Sequence, residues 1–279
     1  MNAAAPVNKI IPFSCVDGPG NRTAVFLQGC NQACLYCHNP ETIHLCVRCG
    51  KCVAVCPAGA LAQTGAGAVS YDIHRCCLCD SCLKACPHMS SPRIRIMTGA
   101  QVFQEIEEYL PFISGVTVSG GECTLYPDFI REFFAAVKAR GKTTFIDTNG
   151  QTPLWEQEAL LAVTDKTMID LKSADDKEHL AMSRLPASMP IENIRRLAPL
   201  GKIYEIRTVV VPGLLDNHRT VELGARLIAD YPEIRYKLIR YRPFGVRGEM
   251  PPVPVPDDDL MQELEGLAKS RGVRDIIAV

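Results

Sequence analysis

What this 279-residue chain lacks excludes several classes of protein. It has no charge excess: 30 Lys and Arg stand against 31 Asp and Glu, a formal net charge of −1. Without a basic field, bulk nucleic-acid binding is not expected. No apolar run approaches the roughly eighteen residues of a membrane span. Residues 1–10 have no signal-peptide core, so a cytoplasmic protein is expected. No G-x-G-x-x-G follows the first expected strand, which argues against a dinucleotide-binding sheet. No cysteine follows Cys123, whereas a secreted disulfide scaffold would be shorter and carry cysteines throughout.

What is present is 47% hydrophobic and 22% charged residues, and fourteen cysteines. All but Cys15 and Cys123 lie between Cys30 and Cys86. This composition suits a globular α/β domain with a small insert, and clustered thiols in such a chain point to metal. Residues 1–40 hold a Gly/Pro turn, Asp17-Gly18-Pro19-Gly20, and an alternating strand over 23–27. Residues 41–97 are cysteine-rich, with a Gly/Ala linker at 64–68 between two similar halves, and read as an internal duplication.

From residue 98 strands and helices alternate. Helices are expected over 100–110, from Pro127 to before Gly141, and over 154–162, 191–197, 218–231 and 257–270. Strands are expected over 115–119, 143–147, 167–171, 203–211, 236–241 and 273–279. Repeated βα units require a parallel sheet with right-handed crossovers. Without the insert roughly 220 residues remain, short of the ~250 of a complete eight-fold barrel. The expectation is a partial (β/α)6 TIM-like barrel, open on one side, formed by residues 1–40 and 98–279. Polar clusters fall at the ends of these strands: Cys30, Gly120-Gly121-Glu122, Asp147, Asp170 with Lys172, Arg207 and Arg242. Barrel chemistry is assembled at that end, although ordinary polar loops would also fit.

The cysteine spacing is more specific. Cys46-x2-Cys49-x2-Cys52-x3-Cys56-Pro57 is repeated as Cys76-x2-Cys79-x2-Cys82-x3-Cys86-Pro87. Each is the bacterial ferredoxin run that ligates a [4Fe–4S] cube, and in paired runs the fourth cysteine serves the other cube. Cys46, Cys49, Cys52 and Cys86 are therefore expected to hold one cube, and Cys76, Cys79, Cys82 and Cys56 the second. Structural zinc is the alternative. Cys15, Cys77 and Cys123 lie outside these counts and are expected to be small buried apolar residues, Cys77 being also a candidate substitute thiolate.

A third group, Cys30-x3-Cys34-x2-Cys37, follows the first strand. Three thiolates leave one iron of a four-iron cube open to an outside ligand, which marks a reactive site. The segment Cys30-Asn31-Gln32-Ala33-Cys34-Leu35-Tyr36-Cys37-His38 resembles the radical S-adenosylmethionine (SAM) signature, with its aromatic residue before the last cysteine. A chance match is the alternative in so cysteine-rich a chain. Further stretches narrow the resemblance to the glycyl-radical-enzyme activating enzymes of the pyruvate formate-lyase activase group. These are Ser14-Cys15-Val16-Asp17-Gly18-Pro19-Gly20-Asn21-Arg22, Ser119-Gly120-Gly121-Glu122, Asp147-Thr148-Asn149-Gly150, Met168-Ile169-Asp170-Leu171-Lys172 and Arg207-Thr208-Val209-Val210-Val211-Pro212-Gly213. The tail from Tyr241-Arg242-Pro243-Phe244 to Glu249 resembles the YjjW-type branch, which carries a double-ferredoxin insert.

The resemblance implies an anaerobic radical SAM oxidoreductase with three [4Fe–4S] clusters, one binding SAM and two auxiliary. Such an enzyme cleaves SAM reductively and takes a hydrogen atom from a glycine of a partner glycyl radical enzyme. A low-potential donor such as flavodoxin or ferredoxin supplies the electron. Cys30, Cys34 and Cys37 are implied to hold the catalytic cluster. Tyr36, His38, Gly120, Gly121, Glu122, Asp147, Asp170, Leu171, Lys172, Arg207 and Arg242 are implied to surround SAM. In this reading Glu122 accepts from the methionine ammonium, Arg207 pairs with the SAM carboxylate, and Asp147 and Asp170 hold a monovalent cation. Local alternatives are a tight turn for Gly120-Gly121, helix caps for the aspartates and a surface charge for Arg207. Arg242 stands where the group has histidine; it cannot switch charge near neutrality, so the adenosine contact there is left open. Asp17, Gly18, Pro19, Gly20 and Arg22 are implied to meet the partner's glycyl loop, though Asp17–Gly20 also suits a simple β-turn. The other functions considered are a radical SAM enzyme with a different substrate and a non-catalytic iron–sulfur electron carrier.

Overall fold

The computed structural model describes residues 3–65, 69–246 and 250–279; part of the Gly/Ala linker and the Arg247-Gly248-Glu249 end of the tail motif lie outside these. The chain opens with an antiparallel pair, β1 (Ala4–Ser14) and β2 (Arg22–Leu27). The cysteine-rich stretch follows, with a small hairpin of β3 (Leu61–Gln63) and β4 (Val69–Tyr71) and one short helix, α1 (Ser81–Lys84). Next come β5 (Arg95–Thr98), α2 (Gly99–Ile106), β6 (Gly115–Gly120), α3 (Pro127–Lys138), β7 (Thr143–Thr148), α4 (Glu158–Val163) and β8 (Lys166–Asp170). The chain then continues through α5 (Asp176–Ser183), α6 (Ser188–Leu197), β9 (Ile203–Val210), α7 (Asn217–Ile228), β10 (Arg235–Arg240), α8 (Asp258–Ser270) and β11 (Asp275–Ala278).

Among the described residues one nine-stranded sheet runs β11-β10-β9-β8-β7-β6-β2-β1-β5. From β2 to β11 every neighbour is parallel, and β1 pairs antiparallel on both sides. The sheet is α/β and open, with β11 and β5 as its edges.

Alternation along the strands gives the sheet two unlike faces. One face packs Val116, Val118, Ile146, Ile169, Ile206 and Leu238 against helical Phe129, Phe133, Leu197, Val221 and Leu264, forming a continuous core. The other carries Thr117, Ser119, Asp147, Met168 and Arg207, where Ser119 and Arg207 both donate to Asp147 and Arg207 also meets the Met168 sulfur. Local signals hold the helices where the pattern expects them. Pro127 opens α3 and Thr98 forms a capping box with Gln101 at α2; Asp216 and Asp257 cap α7 and α8.

Four strands and two helices, the single-turn α1 and α5, are absent from the pattern-based reading. β1 contains Pro6 and Pro12, which count against a strand; irregular register at Val7/Lys9 and Ile11/Ser14 interrupts its pairing with β2. α5 has no apolar stripe and forms instead on its cap, with Asp175 accepting from the Lys177 and Glu178 amides. The short strands β3, β4 and β5 lie in the cysteine-rich stretch or at its end. The helix expected over 100–110 tightens after Ile106 into a 3-10 turn containing Pro111.

Candidate active site

The Cys30 loop leaves the C-terminal end of β2 through Gly29, whose φ of +101° suits glycine. Backbone bonds stitch it on two sides. The Gly29 and Cys30 amides donate to the Thr42 and Ile43 carbonyls, and the Ala33 and Leu35 amides donate to Ser183 and Met182 at the end of α5. Gly120 and Gly121 press against the same loop: the Gly121 and Glu122 amides donate to Leu27 and Gly29, and a Cβ on Gly121 would sit 2.3 Å from the Gly29 carbonyl oxygen. The Gly-Gly pair therefore serves close backbone approach.

Cys30, Cys34 and Cys37 are partly exposed, and burial pushes each thiol up to about 11. Asn149 Nδ2 lies 3.7 Å from Cys30 Sγ and donates to Asn31 Oδ1. Gln32 Oε1 lies 3.3 Å from Cys34 Sγ, while its Nε2 is buried without a partner. Tyr36 is buried among Met182, Val211, Leu215 and Tyr241, with an unpartnered hydroxyl. These orphaned donors beside three thiols fit a bound group carrying acceptor atoms. His38 Nε2 lies 2.9 Å from the Arg242 carbonyl and its ring stacks with Tyr241, tying the tail to the cysteine loop. The Arg242 side chain is exposed.

The structure corrects several side-chain expectations. Glu122 points inward: Oε1 accepts from the Thr124 amide, Thr124 Oγ1 and Thr148 Oγ1, and Oε2 from the Asn149 amide. It braces the 147–150 loop rather than facing a ligand ammonium, and burial raises its pKa. Leu171 is buried in the main core, its amide donating to Arg207 and its carbonyl accepting from Thr208, so it lines no site. Arg207 is an interior residue rather than a surface charge. It donates to Asp147 Oδ1 at 2.9 Å and to Glu205 Oε1 at 2.6 Å. Burial opposes its charge, but Asp147 and Glu205 hold its pKa above the ordinary value.

Lys172 Nζ lies 2.5 Å from Asp170 Oδ2. Burial opposes its charge too, and Asp170, Cys34 and Tyr36 together outweigh it, leaving the pKa well above the ordinary lysine value. Asp147 and Asp170 thus each carry a side-chain cation, and their mutual repulsion does not require an added one. Neither caps a helix. Asp170 is the more open of the two, at 36% side-chain exposure against 17%.

At the opposite end of β2 lies the 17–20 strip. Ser14 Oγ donates to Asp17 Oδ2, Thr117 Oγ1 donates to the Asp17 carbonyl, and Pro19 and Gly20 are exposed. Arg22 does not join them outside. It is 1% exposed, donates to Thr117 Oγ1, Thr143 Oγ1 and the Val116 carbonyl, and stacks 4.0 Å over Phe145. Burial without a touching carboxylate pushes its pKa down to about 10. Five residues of strand, about 17 Å, separate this end from the cysteine mouth, so the structure does not bring the two together.

The ferredoxin-type runs line two small cavities. Cys46, Cys49, Cys52 and Cys86 surround one, with Lys51, His88 and Ser90; the Ser90 hydroxyl is buried and unpartnered. Cys56, Cys76, Cys79 and Cys82 surround the second, with Tyr71, Asp80, Arg93 and Cys77. Each cavity draws its fourth cysteine from the other run. Among the described residues no three His, Cys, Asp or Glu side chains gather tightly enough for a single metal ion. Cys123 is buried as expected, but Cys15 and Cys77 are exposed. Pattern reasoning also missed Gln32, Asn149 and Glu205 as site groups. Asn149 and Gln32 carried a signal, as parts of the Asp147–Gly150 and Cys30–His38 stretches.

The radical SAM superfamily pattern matches residues 24–223. The benzylsuccinate synthase activating enzyme of Thauera aromatica is 33% identical over 81% of this chain and 74% of its own. The pyruvate formate-lyase-activating enzyme of Streptococcus mutans is 28% identical over 89% and 86%. In fold, QueE from Escherichia coli superposes with a TM-score of 0.55 at 13% identity, over 99% of this chain and 94% of that one. The chain belongs to the radical SAM superfamily and, within it, to the glycyl-radical enzyme activating enzymes.

Proposed function

We propose that this activase holds its SAM-binding [4Fe–4S] cluster on Cys30, Cys34 and Cys37, at the mouth of a partial (β/α)6 barrel. The observation that carries the reading is the loop itself. Three thiols stand at the end of β2, among the unpartnered Gln32 amide nitrogen and Tyr36 hydroxyl. When bound, the cluster supplies one-electron reductive cleavage of SAM, leading to hydrogen abstraction from a glycine of the partner enzyme.

The chain's own residues bind and shape. Asp170, the more open carboxylate, is suited to the SAM ammonium, and Lys172 and Arg207 supply cations for its carboxylate. Gly120-Gly121 bring backbone against the cysteine loop, and Tyr36 closes the apolar floor beneath it. Asp17-Gly18-Pro19-Gly20, with Pro19 and Gly20 exposed, is the strip assigned to a partner's glycyl loop.

Residues 41–97 are read as a double-ferredoxin insert of the YjjW-type branch, and the cross-run cysteine lining of its two cavities supports two auxiliary cubes. Flavodoxin or ferredoxin would supply electrons, in the cytoplasm. The test is Cys34→Ala. About four irons per chain should be lost, about eight retained, and SAM cleavage abolished. Retained cleavage would defeat the assignment.

A further inference from the structure

The two cysteine-lined cavities are built differently, and this has a redox consequence that rests on the auxiliary-cube reading. In the second cavity Tyr71 and Arg93 stand in the wall beside Cys56, Cys76, Cys79 and Cys82, placing a phenol hydroxyl and a guanidinium next to the thiols. Arg93 is largely buried, at 16% side-chain exposure, and Asp80 fixes it: Nη2 lies 2.7 Å from Asp80 Oδ1. Tyr71 comes from β4 and Arg93 lies two residues before β5, so secondary structure flanks both donors. In the first cavity Lys51 and His88 are exposed, and the buried polar side chain of the lining is Ser90, whose hydroxyl has no partner among the described residues.

Hydrogen bonds to cluster sulfurs stabilise the more negative, reduced state and raise the potential, and a bond from a charged donor is about twice as strong as a neutral one. We infer that Arg93 and Tyr71 make the Cys56/Cys76/Cys79/Cys82 cube the more easily reduced of the auxiliary pair. The Cys46/Cys49/Cys52/Cys86 cube is then the stronger reductant, and it is also the one joined to the catalytic loop. Cys46 follows His44, whose carbonyl accepts from Gln28, and Leu45, which packs beside Gly29.

The test is an EPR-monitored redox titration of the reconstituted full chain. Wild type should hold about twelve irons and show two auxiliary signals of unequal potential. Tyr71→Phe and Arg93→Met should each lower the same, higher-potential signal, Arg93→Met by about tenfold in the reduction equilibrium, or ~59 mV. Arg93→Lys should restore part of that shift, and Ser90→Ala should move only the other signal. If Tyr71→Phe and Arg93→Met leave both signals in place, or move both equally, the inference is overturned while the cubes stand. A wild-type chain with only about four irons overturns the auxiliary-cube reading and the inference together.

Discussion

Replacing Glu122 by Gln separates two roles that one carboxylate cannot hold together. If Glu122 met the SAM ammonium, the amide would weaken SAM binding and leave stability nearly unchanged. The structure gives the opposite expectation. The Gln carbonyl can keep the Thr124 and Thr148 bonds to Oε1, but its NH2 would face the Asn149 amide, which now donates to Oε2 at 2.7 Å. A buried donor left without an acceptor costs about 1–3 kcal/mol, and the remaining bonds lose their charge assistance. Relief of the carboxylate's desolvation offsets part of this, because burial is what raises its pKa. The net cost is about 2–3 kcal/mol. At roughly 2–4 °C per kcal/mol for a chain of this size, that is a fall in Tm of about 4–12 °C. Anaerobic thermal unfolding of the reconstituted protein measures it, and titration with SAM measures binding in the same sample. An unchanged Tm with strongly weakened SAM binding would refute the bracing role.

Arg207→Met should cost about 3–5 kcal/mol, because it leaves Asp147 and Glu205 buried without their shared cation. Arg207→Lys should recover only part of this, since an ammonium cannot reproduce the guanidinium fork; thermal unfolding checks both. Cluster loading should strengthen as pH rises. Burial holds the Cys30, Cys34 and Cys37 thiols at about 11, so loading must displace their protons. The same raised values stabilise the apo fold below the ordinary thiol pKa, and that contribution is lost as pH approaches 11. Iron incorporation and apo stability measured at pH 7 and pH 9 should therefore move in opposite directions. Weaker loading at pH 9 would contradict the assignment.

The parallel core was readable because β6, β7 and β8 are short, β-branched-rich segments bounded by turns, with Val116, Val118, Ile146 and Ile169 on the helix-packed face. β1 hid behind Pro6 and Pro12. α5, which clamps the cysteine loop, hid because its cap and backbone bonds form it without an apolar stripe. At the site, cysteine spacing was informative because three cysteines of each group come from one short loop, even where the fourth comes from the other run. Side-chain direction was not. Glu122 finds its partners at Thr148 and Asn149, and Arg22 at Thr117 and Thr143, through contacts that only the folded sheet creates. Arg207, which neutralises Asp147, was in view as a residue, but its pairing depended on strand register, whereas Lys172 meets Asp170 from two residues along the same segment.

The central claim is that this chain transfers a hydrogen atom from a partner's glycine to a fragment of SAM. The reduced, SAM-loaded protein should be mixed anaerobically with its glycyl radical enzyme, deuterated at the glycine α-carbon. The account predicts a glycyl radical EPR signal and deuterium in the 5′-deoxyadenosine released. SAM cleavage that yields deuterium-free 5′-deoxyadenosine and no glycyl signal would contradict it.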